Sequence, residues 1–559
     1  MKTHYAAACF LKFSVLFACL LPGLTSPAQH QVEYLNSNNV NAGFGLGGNL
    51  FSNLTGGTPQ WQMLQTPKNL QANPIYTAAL WMTGVDAGNN AKCSVQRYGQ
   101  HGLDFSDGPI AATYNAQYDS FYRRVFKATQ LQVTHHRSVF ASLGTQMTVN
   151  DVDNALLIWP AKGNPYVGTN YGVNIDRHLA PFYDVDGDGS YDPVKGDYPL
   201  FCGDEAIFFV FNDVRTHAGM GLEVRGLAEV FLDTSFGSFN AVTPAKRAIN
   251  NTVFVSYEIE NRSANPYYQF YLSLYTDFDL GCYANDRIGC DTIRNMMFVY
   301  NGNSPDPDCN GALGYGTLDI ASAAKYLNQN MSSFSYFTNG ANYVLTDPDT
   351  CEHYRNFQQG LWNDGSPFTT NGTGWGTGNT PTHFIFPGDP NNPAEWSESQ
   401  PAVSASLPAG DRRTEGTTGP STFLAGEIKH FDFAFLTSFD STATHLTIVD
   451  TLKRDGDIIQ AYYNNTIQPC RAGQLAGLPN TAGDLALTVY PNPATSTLLV
   501  DAQQRIDLVE LTDMLGRTAV TTKAGGTVAA LNVGSLQRGV YLLKVQAQGK
   551  TAVRRVVLQ

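Results

Sequence analysis

From residue 206 to residue 279 the chain spells four segments, 206–213, 222–232, 251–263 and 267–279, in which apolar and polar side chains alternate. In the third segment Val253, Val255, Tyr257 and Ile259 fall on one face, and Thr252, Phe254, Ser256 and Glu258 on the other. A period of two places such a segment in an extended strand with one face toward a core. The short turn at Asn265 and Pro266 predicts antiparallel pairing of its neighbours. Phe254, apolar on the otherwise polar face, predicts a sheet covered on both sides. Charged residues make up only 15% of the chain and glycine occurs 52 times, a composition that suits strands and turns over long amphipathic helices.

The expected fold class is therefore mostly β, a large β-sandwich or jelly-roll-like body with long loops. Residues 76–109, 156–165 and 421–439 read as further strand and turn pieces. Residues 446–463 carry a helical pattern in Leu446, Val449, Leu452, Ile459 and Tyr462, which Gly456 weakens. Residues 300–420 are rich in Gly, Asn, Pro, Ser and Thr and read as long loop or inserted surface. Trp362, Trp375 and Trp396 lie in that stretch, where they either pin loops to the body or offer platforms for sugar rings.

The acidic residues recur as Asp-x-Asp pairs, densest in FYDVDGDGSYDPVKGDYP. With Asp184 at position one of a calcium loop, Asp186 stands at three, Asp188 at five, Gly189 at six, Ser190 at seven and Asp192 at nine. Position twelve, where a bidentate glutamate belongs, holds Lys195, so closure falls to Asp197, Asp204 or Glu205. Pro193 and Pro199 oppose a following helix, and the loop resembles those of thrombospondin-type repeats and dockerins more than a full helix-loop-helix hand. Structural calcium is the expected cofactor. The alternative is a turn built on Asp and Gly geometry. A second, less specific cation site is expected from Asp277, Asp279, Asp286 and Asp291. Seven cysteines follow residue 28, enough for three disulfides and one thiol, and Cys282 with Cys290 is the first expected pair.

Residues 1–28 have Lys2 and Lys12, an apolar run and a small-x-small end, the pattern of a signal peptide. No later stretch is apolar enough to span a membrane. The body then covers 29–465, with a subdomain break near 200 left open, and a polar linker covers 466–484. Residues 485–559 show six or seven short strands with regular turns, a small immunoglobulin-like β-sandwich. Their motifs TVYPNPA, DMLGR and LQRGVYLLKV, then RRVVLQ, resemble the type A C-terminal sorting domain of the type IX secretion system. Tyr490, Pro491, Asn492, Pro493, Gly516, Arg517, Gly539 and Tyr541 carry the resemblance. It implies the type IX machinery as partner, transport across the outer membrane of a Bacteroidetes-type bacterium, and a cargo then anchored at the surface or released. Segments such as WMTGVD, LDFSDGP, IWPAKGNP and FLAGE are similar to a recurring body in large exported proteins with that tail, and imply no activity.

A net charge of −13 disfavours nucleic acid as a partner. The sequence holds no HExxH, GxSxG or GxxxxGK motif. The leading expectation is a calcium-stabilised, non-catalytic protein that binds a surface glycan or a host or environmental ligand. A secreted hydrolase of polysaccharide or protein is the alternative, and a structural surface-layer component is the third.

Overall fold

The structure is a computed structural model. It describes residues 32–52, 64–68, 70–97, 104–215, 219–233, 243–340, 342–376, 380–476, 487–491, 494–502, 504–513, 518–547 and 550–558. The expected signal segment 1–28 therefore lies outside the described residues, as do Asn492, Pro493, Gly516 and Arg517 of the sorting motif.

The alternating segments form the expected β-rich body, with antiparallel sheets facing each other and neither closed. One sheet has nine strands. Across it run Asp286–Asp291, Met296–Asn301, Ile320–Tyr326, Ile428–Phe439, Thr252–Asn261, Leu222–Val230, Glu205–Asn212 and Ser106–Asp107, with Phe126–Thr129 also paired to Glu205–Asn212. The other has five, in the order Ser333–Phe337, Arg412–Phe423, Tyr267–Phe278, Thr77–Val85 and Ala91–Val95. Val253, Val255, Tyr257 and Ile259 point into the core between the sheets, with Leu80, Met82, Leu272 and Leu274 from the facing strands. Each such side chain taken from water is worth roughly 2 kcal/mol.

Phe254 points the other way, as its position predicts. It joins a second core with Ile448, Val449, Leu452 and Ile459 of the helix Ile448–Tyr462, which covers the outer face of the large sheet. Gly456, unfavourable for a free helix, has a reason here: a β-carbon at that position would stand 3.3 Å from the Met296 sulfur of the sheet below.

A third layer lies over Glu205–Asn212. Ala206, Phe208 and Val210 meet Trp159, Phe182 and Tyr191 in a core that seats the Asp184 loop. Residues 156–165, expected as strand and turn, are instead part of two short helices and the turn between them, Asn154–Leu157 and Pro165–Tyr171. Asp153 accepts from Ala155 N–H to start the first helix. Asn164 accepts from Val167 N–H to start the second, with Pro165 at its first position. A short apolar run does not by itself separate strand from helix, and here the caps decide.

The stretch 300–420 is irregular over much of its length, yet it contributes Ile320–Tyr326 and Ser333–Phe337 to the two sheets and the helix Cys351–Gln358 over the smaller one. Trp362 is fully buried, and its Nε1 donates to Gly374 O. Trp396 packs against the core, with Nε1 donating to Gly372 O. Both pin loops. Trp375 remains 40% exposed.

The stretch read as linker from 466 begins as helix. Gln468–Ala476 is helical, Cys470 is bonded to Cys202, and Arg471 pairs with Glu229 at 2.8 Å and Asp432 at 2.9 Å. Residues 477–484 lie outside the described residues. The C-terminal unit has a three-stranded sheet (Thr488–Tyr490, Thr497–Asp501, Val528–Asn532) and a four-stranded sheet (Thr518–Thr522, Ile506–Asp513, Gly539–Ala547, Lys550–Leu558). Leu498, Val500, Val509, Leu531, Leu543 and Val556 fill the core of this small β-sandwich.

Candidate functional site

The Asp184 loop stands on a two-residue antiparallel stem, Phe182–Tyr183 paired with Tyr198–Pro199, whose tyrosine rings stack with centroids 5.0 Å apart. Asp184 Oδ1 accepts from Gly187 N–H at 2.8 Å and its Oδ2 from Gly189 N–H at 2.7 Å. Both glycines have positive φ, +74° and +79°, a region a β-carbon would strain. Asp186 Oδ1 accepts from Asp188 N–H, and Asp188 Oδ1 from Ser190 N–H. One carboxylate oxygen from each of Asp184, Asp186 and Asp188 lies within 4.8 Å of the others. Lys195 reaches over this group, its Nζ 2.7 Å from Asp188 Oδ2 and 3.3 Å from Asp186 Oδ2. Those two contacts raise the lysine above its ordinary range, the Asp188 hydrogen bond most.

Asp192 and Asp197 have other work. Asp192 caps the turn Pro193–Lys195 by accepting from Val194 N–H at 3.1 Å. Asp197, fully buried, accepts from Val185 N–H at 2.7 Å with one oxygen and from Asp192 N–H at 2.8 Å with the other, so it clamps both ends of the loop. Burial pushes Asp197 up to about 7, against the lowering pull of those two backbone donors. Asp204 accepts from Leu232 N–H, and Glu205 pairs with Lys127 and accepts from Asn36 and Ser37, so neither closes the loop. Behind the loop, the ring of Phe140 would lie 2.6 Å from a β-carbon on Gly196, whose φ is +101°.

The second expected cluster is reassembled by the sheet. Asp277 ends the strand Tyr267–Phe278, where Asp277 pairs with Arg413 and Phe278 with Arg412. The same direction brings Asp279 toward Asp411, a residue absent from the sequence-based expectation. Oxygens of Asp277, Asp279 and Asp411 lie within 4.8 Å of one another. Arg413 lies 3.5 Å from Asp277 and 3.4 Å from Asp411, and Asn339 Nδ2 donates to Asp411 at 2.5 Å. Burial, then the charges of Asp277 and Asp411, push Asp279 well above the usual carboxylate range.

Asp286 stands apart in role, fully buried and accepting from Leu280 N–H at 2.9 Å. Asp291 is at the far end of the strand Asp286–Asp291, where it accepts from Ile293 and Arg294 N–H and pairs with the Arg294 guanidinium at 2.8 Å. The expected Cys282–Cys290 pair does not form. Cys282 is bonded to Cys309 with Cα atoms 5.4 Å apart, while Cys290 is buried within a sheet strand, its thiol donating to Ile385 O. Strand geometry separates the two cysteines that eight residues of sequence seemed to join.

Both clusters offer oxygen atoms alone, the donor set of hard cations such as calcium or magnesium. Three carboxylates so close repel one another unless a cation or a shared proton intervenes. Lys195 supplies part of that compensation in the first cluster, and Arg413 in the second.

The fold defines a β-rich protein whose disulfide-fastened body is followed in the chain by a small β-sandwich. Residues 488–559 match the family described as secretion system C-terminal sorting domain, which makes the chain a cargo of type IX secretion. Within that module Tyr490 lies in the first strand and Pro491 is exposed just after it. Gly539 opens the strand Gly539–Ala547, and Tyr541 donates to Gln537 O at 2.8 Å. Export to the medium or to the outer-membrane surface follows. Among the described residues no helix is long and apolar enough to cross a membrane. No curated protein matches this chain. Among solved structures it is similar to a polysaccharide lyase at 10% identity and a TM-score of 0.18; the match takes in 70% of this chain and 41% of that one.

Proposed function

We propose that this cargo serves outside the cell as a non-catalytic binding or adhesion protein, and that calcium stabilises it through Asp184, Asp186 and Asp188. The observation that carries the metal reading is the convergence of those three carboxylates on a loop already closed by its own stem and by Asp197. A divalent cation takes several oxygen ligands and offsets the repulsion that Lys195 offsets in part. Trp375, exposed in a glycine-rich segment, is the aromatic surface on which a surface glycan would stack.

The test is a thermal melt of residues 29–559 in calcium and then in excess chelator, beside the Asp186→Ala variant. A ligand bound to the native state alone must raise the melting temperature. A rise of several degrees in the parent and none in the variant supports the reading; identical melts in calcium and chelator sink it. Binding to immobilised surface polysaccharides, lost in Trp375→Ala, tests the glycan part.

A second reading, a hydrolase of polysaccharide or protein, draws on Asp277, Asp279 and Asp411. Retaining glycosidases hold two carboxyl groups about 5–5.5 Å apart, and this cluster is of similar closeness. Turnover of a polysaccharide or protein substrate, abolished in Asp279→Asn, would favour it.

A further inference from the structure

Seven cysteines follow residue 28, and four of them are paired as Cys202–Cys470 and Cys282–Cys309. Of the remaining three, Cys290 is alone in the core, while Cys93 and Cys351 are both only partly buried. The fold brings those two together from 258 residues apart. Cys93 lies in the edge strand Ala91–Val95, directly opposite Thr83 of the strand Thr77–Val85. Cys351 opens the helix Cys351–Gln358, held by its Thr350 cap.

Cys351, Tyr354 and Gln358 recur at spacings of three and four, one face of that helix. The other two members of this face already grip the strands beneath. Gln358 accepts from Thr83 Oγ1 at 2.5 Å and donates to Trp81 O at 3.1 Å, and the Tyr354 ring meets Trp81 edge-on with centroids 4.8 Å apart. At the head of the same face the thiols of Cys351 and Cys93 come within hydrogen-bond reach of each other.

We propose that Cys93 and Cys351 close a third disulfide in the exported protein, stapling the helix Cys351–Gln358 to the edge strand Ala91–Val95 and leaving Cys290 as the one thiol of the mature chain. The redox setting is the oxidising compartment that an exported chain enters. The oxidant is the disulfide of a dithiol oxidase. The Cys351 thiolate attacks one sulfur of that disulfide and expels the other as a thiolate, forming a mixed disulfide. Cys93 then loses its proton and attacks Cys351 Sγ, releasing the oxidant as a dithiol. Two electrons and two protons pass to the oxidant, and one S–S bond is gained as another is lost.

Cys351 is the better attacking group. The hydrogen bond from Cys93 lowers it most, Arg355 and Lys92 help, and Cys93 is correspondingly raised. Held this way, the staple ties an edge of the smaller sheet to the segment that carries the helix. That edge is then anchored by a covalent bond as well as by one ladder of backbone hydrogen bonds.

The experiment is thiol counting on residues 29–559, secreted through an oxidising periplasm and purified without reductant. The protein is denatured, alkylated with N-ethylmaleimide before and after reduction, and weighed intact, with peptide mapping of the unreduced digest. One label before reduction, on Cys290, seven after it, and a linked peptide joining Cys93 to Cys351 are expected. Three labels before reduction, or a link from either residue to another cysteine, would overturn the proposal. Cys93→Ser and Cys351→Ser should each raise the count from one to two, and Cys290→Ala should lower it to zero. Should a variant not fold, the count on the parent chain still decides.

Discussion

The Asp184 loop and the Asp277 cluster present the same chemistry, three carboxylates with oxygens within 4.8 Å, but they are built in opposite ways. The first is contiguous. Its ligands lie two residues apart, its own backbone N–H groups orient them, and its stem is two residues long. The second is composite, with two members at the end of one strand and the third, Asp411, delivered by a neighbour that enters the sheet more than 130 residues later. A contiguous site is held by turn geometry within its own loop. A composite site is held by sheet register, and its electrostatics are charged against the stability of the whole sandwich.

The largest effect that tests this contrast is at Asp197, which clamps the loop without belonging to its cation cluster. Asp197→Ala removes the buried acceptor that holds the Val185 and Asp192 N–H groups and should cost about 3 kcal/mol in urea unfolding, in calcium and in chelator alike. A loss seen only in calcium would make Asp197 a ligand and erase its distinction from Asp186. Next is Asp186→Ala, expected to remove roughly 2 kcal/mol in saturating calcium and almost nothing in chelator.

Asp279→Asn probes the composite site by sign. Without a cation it removes the cost of burying a carboxyl beside the charges of Asp277 and Asp411 and should raise stability by about 1–2 kcal/mol at neutral pH; if the cluster holds calcium, the same change lowers the melting temperature in calcium. The smallest effect is a control at Glu415, fully buried, accepting from Ser335 and Thr417 hydroxyls and pushed up by burial. A carboxyl raised in the fold contributes stability that is complete below its unfolded value near 4.5 and is lost as pH rises through its folded value. Glu415→Gln should therefore be more stable than the parent by about 1 kcal/mol at pH 8, and indistinguishable from it at pH 4, whatever the calcium. A calcium-dependent difference there would mean that the metal acts on the whole sandwich and not on one loop.

How far the sequence could be read follows the same division between local and composite. Val253, Phe254 and Val255 announced a sheet covered on both faces, and the pattern from Leu446 to Tyr462 announced its covering helix, because each signal lies within one element. Asp184, Asp186 and Asp188 were legible for the same reason. Asp411 was not, since only the pairing of Asp277 with Arg413 brings it to Asp279. The cysteines repeat the lesson: Cys282 and Cys290 are near in sequence, yet a strand carries Cys290 into the core while a loop returns Cys309 to Cys282. Residues 156–165 misled because their side-chain caps, and not their apolar run, set the conformation. For Trp362 and Trp396 the sequence left open loop pins or sugar platforms, and their indole N–H bonds to Gly374 and Gly372 make them pins.

The bond between Cys202 and Cys470 has a mechanical side. A pull applied through the C-terminal unit enters the body at the helix Gln468–Ala476, where Cys470 is its first covalent cross-link. The covalent link shunts that tension directly to Cys202, so the 267 residues between the two cysteines, with most of both sheets and the Asp277 cluster, lie outside the load path. Tension then travels toward the N-terminus through the segment just before Cys202, and the first structure it meets is the stem of the Asp184 loop at Tyr198–Pro199. The first element of the body on that path is thus the stem of the loop whose rigidity a bound cation would set.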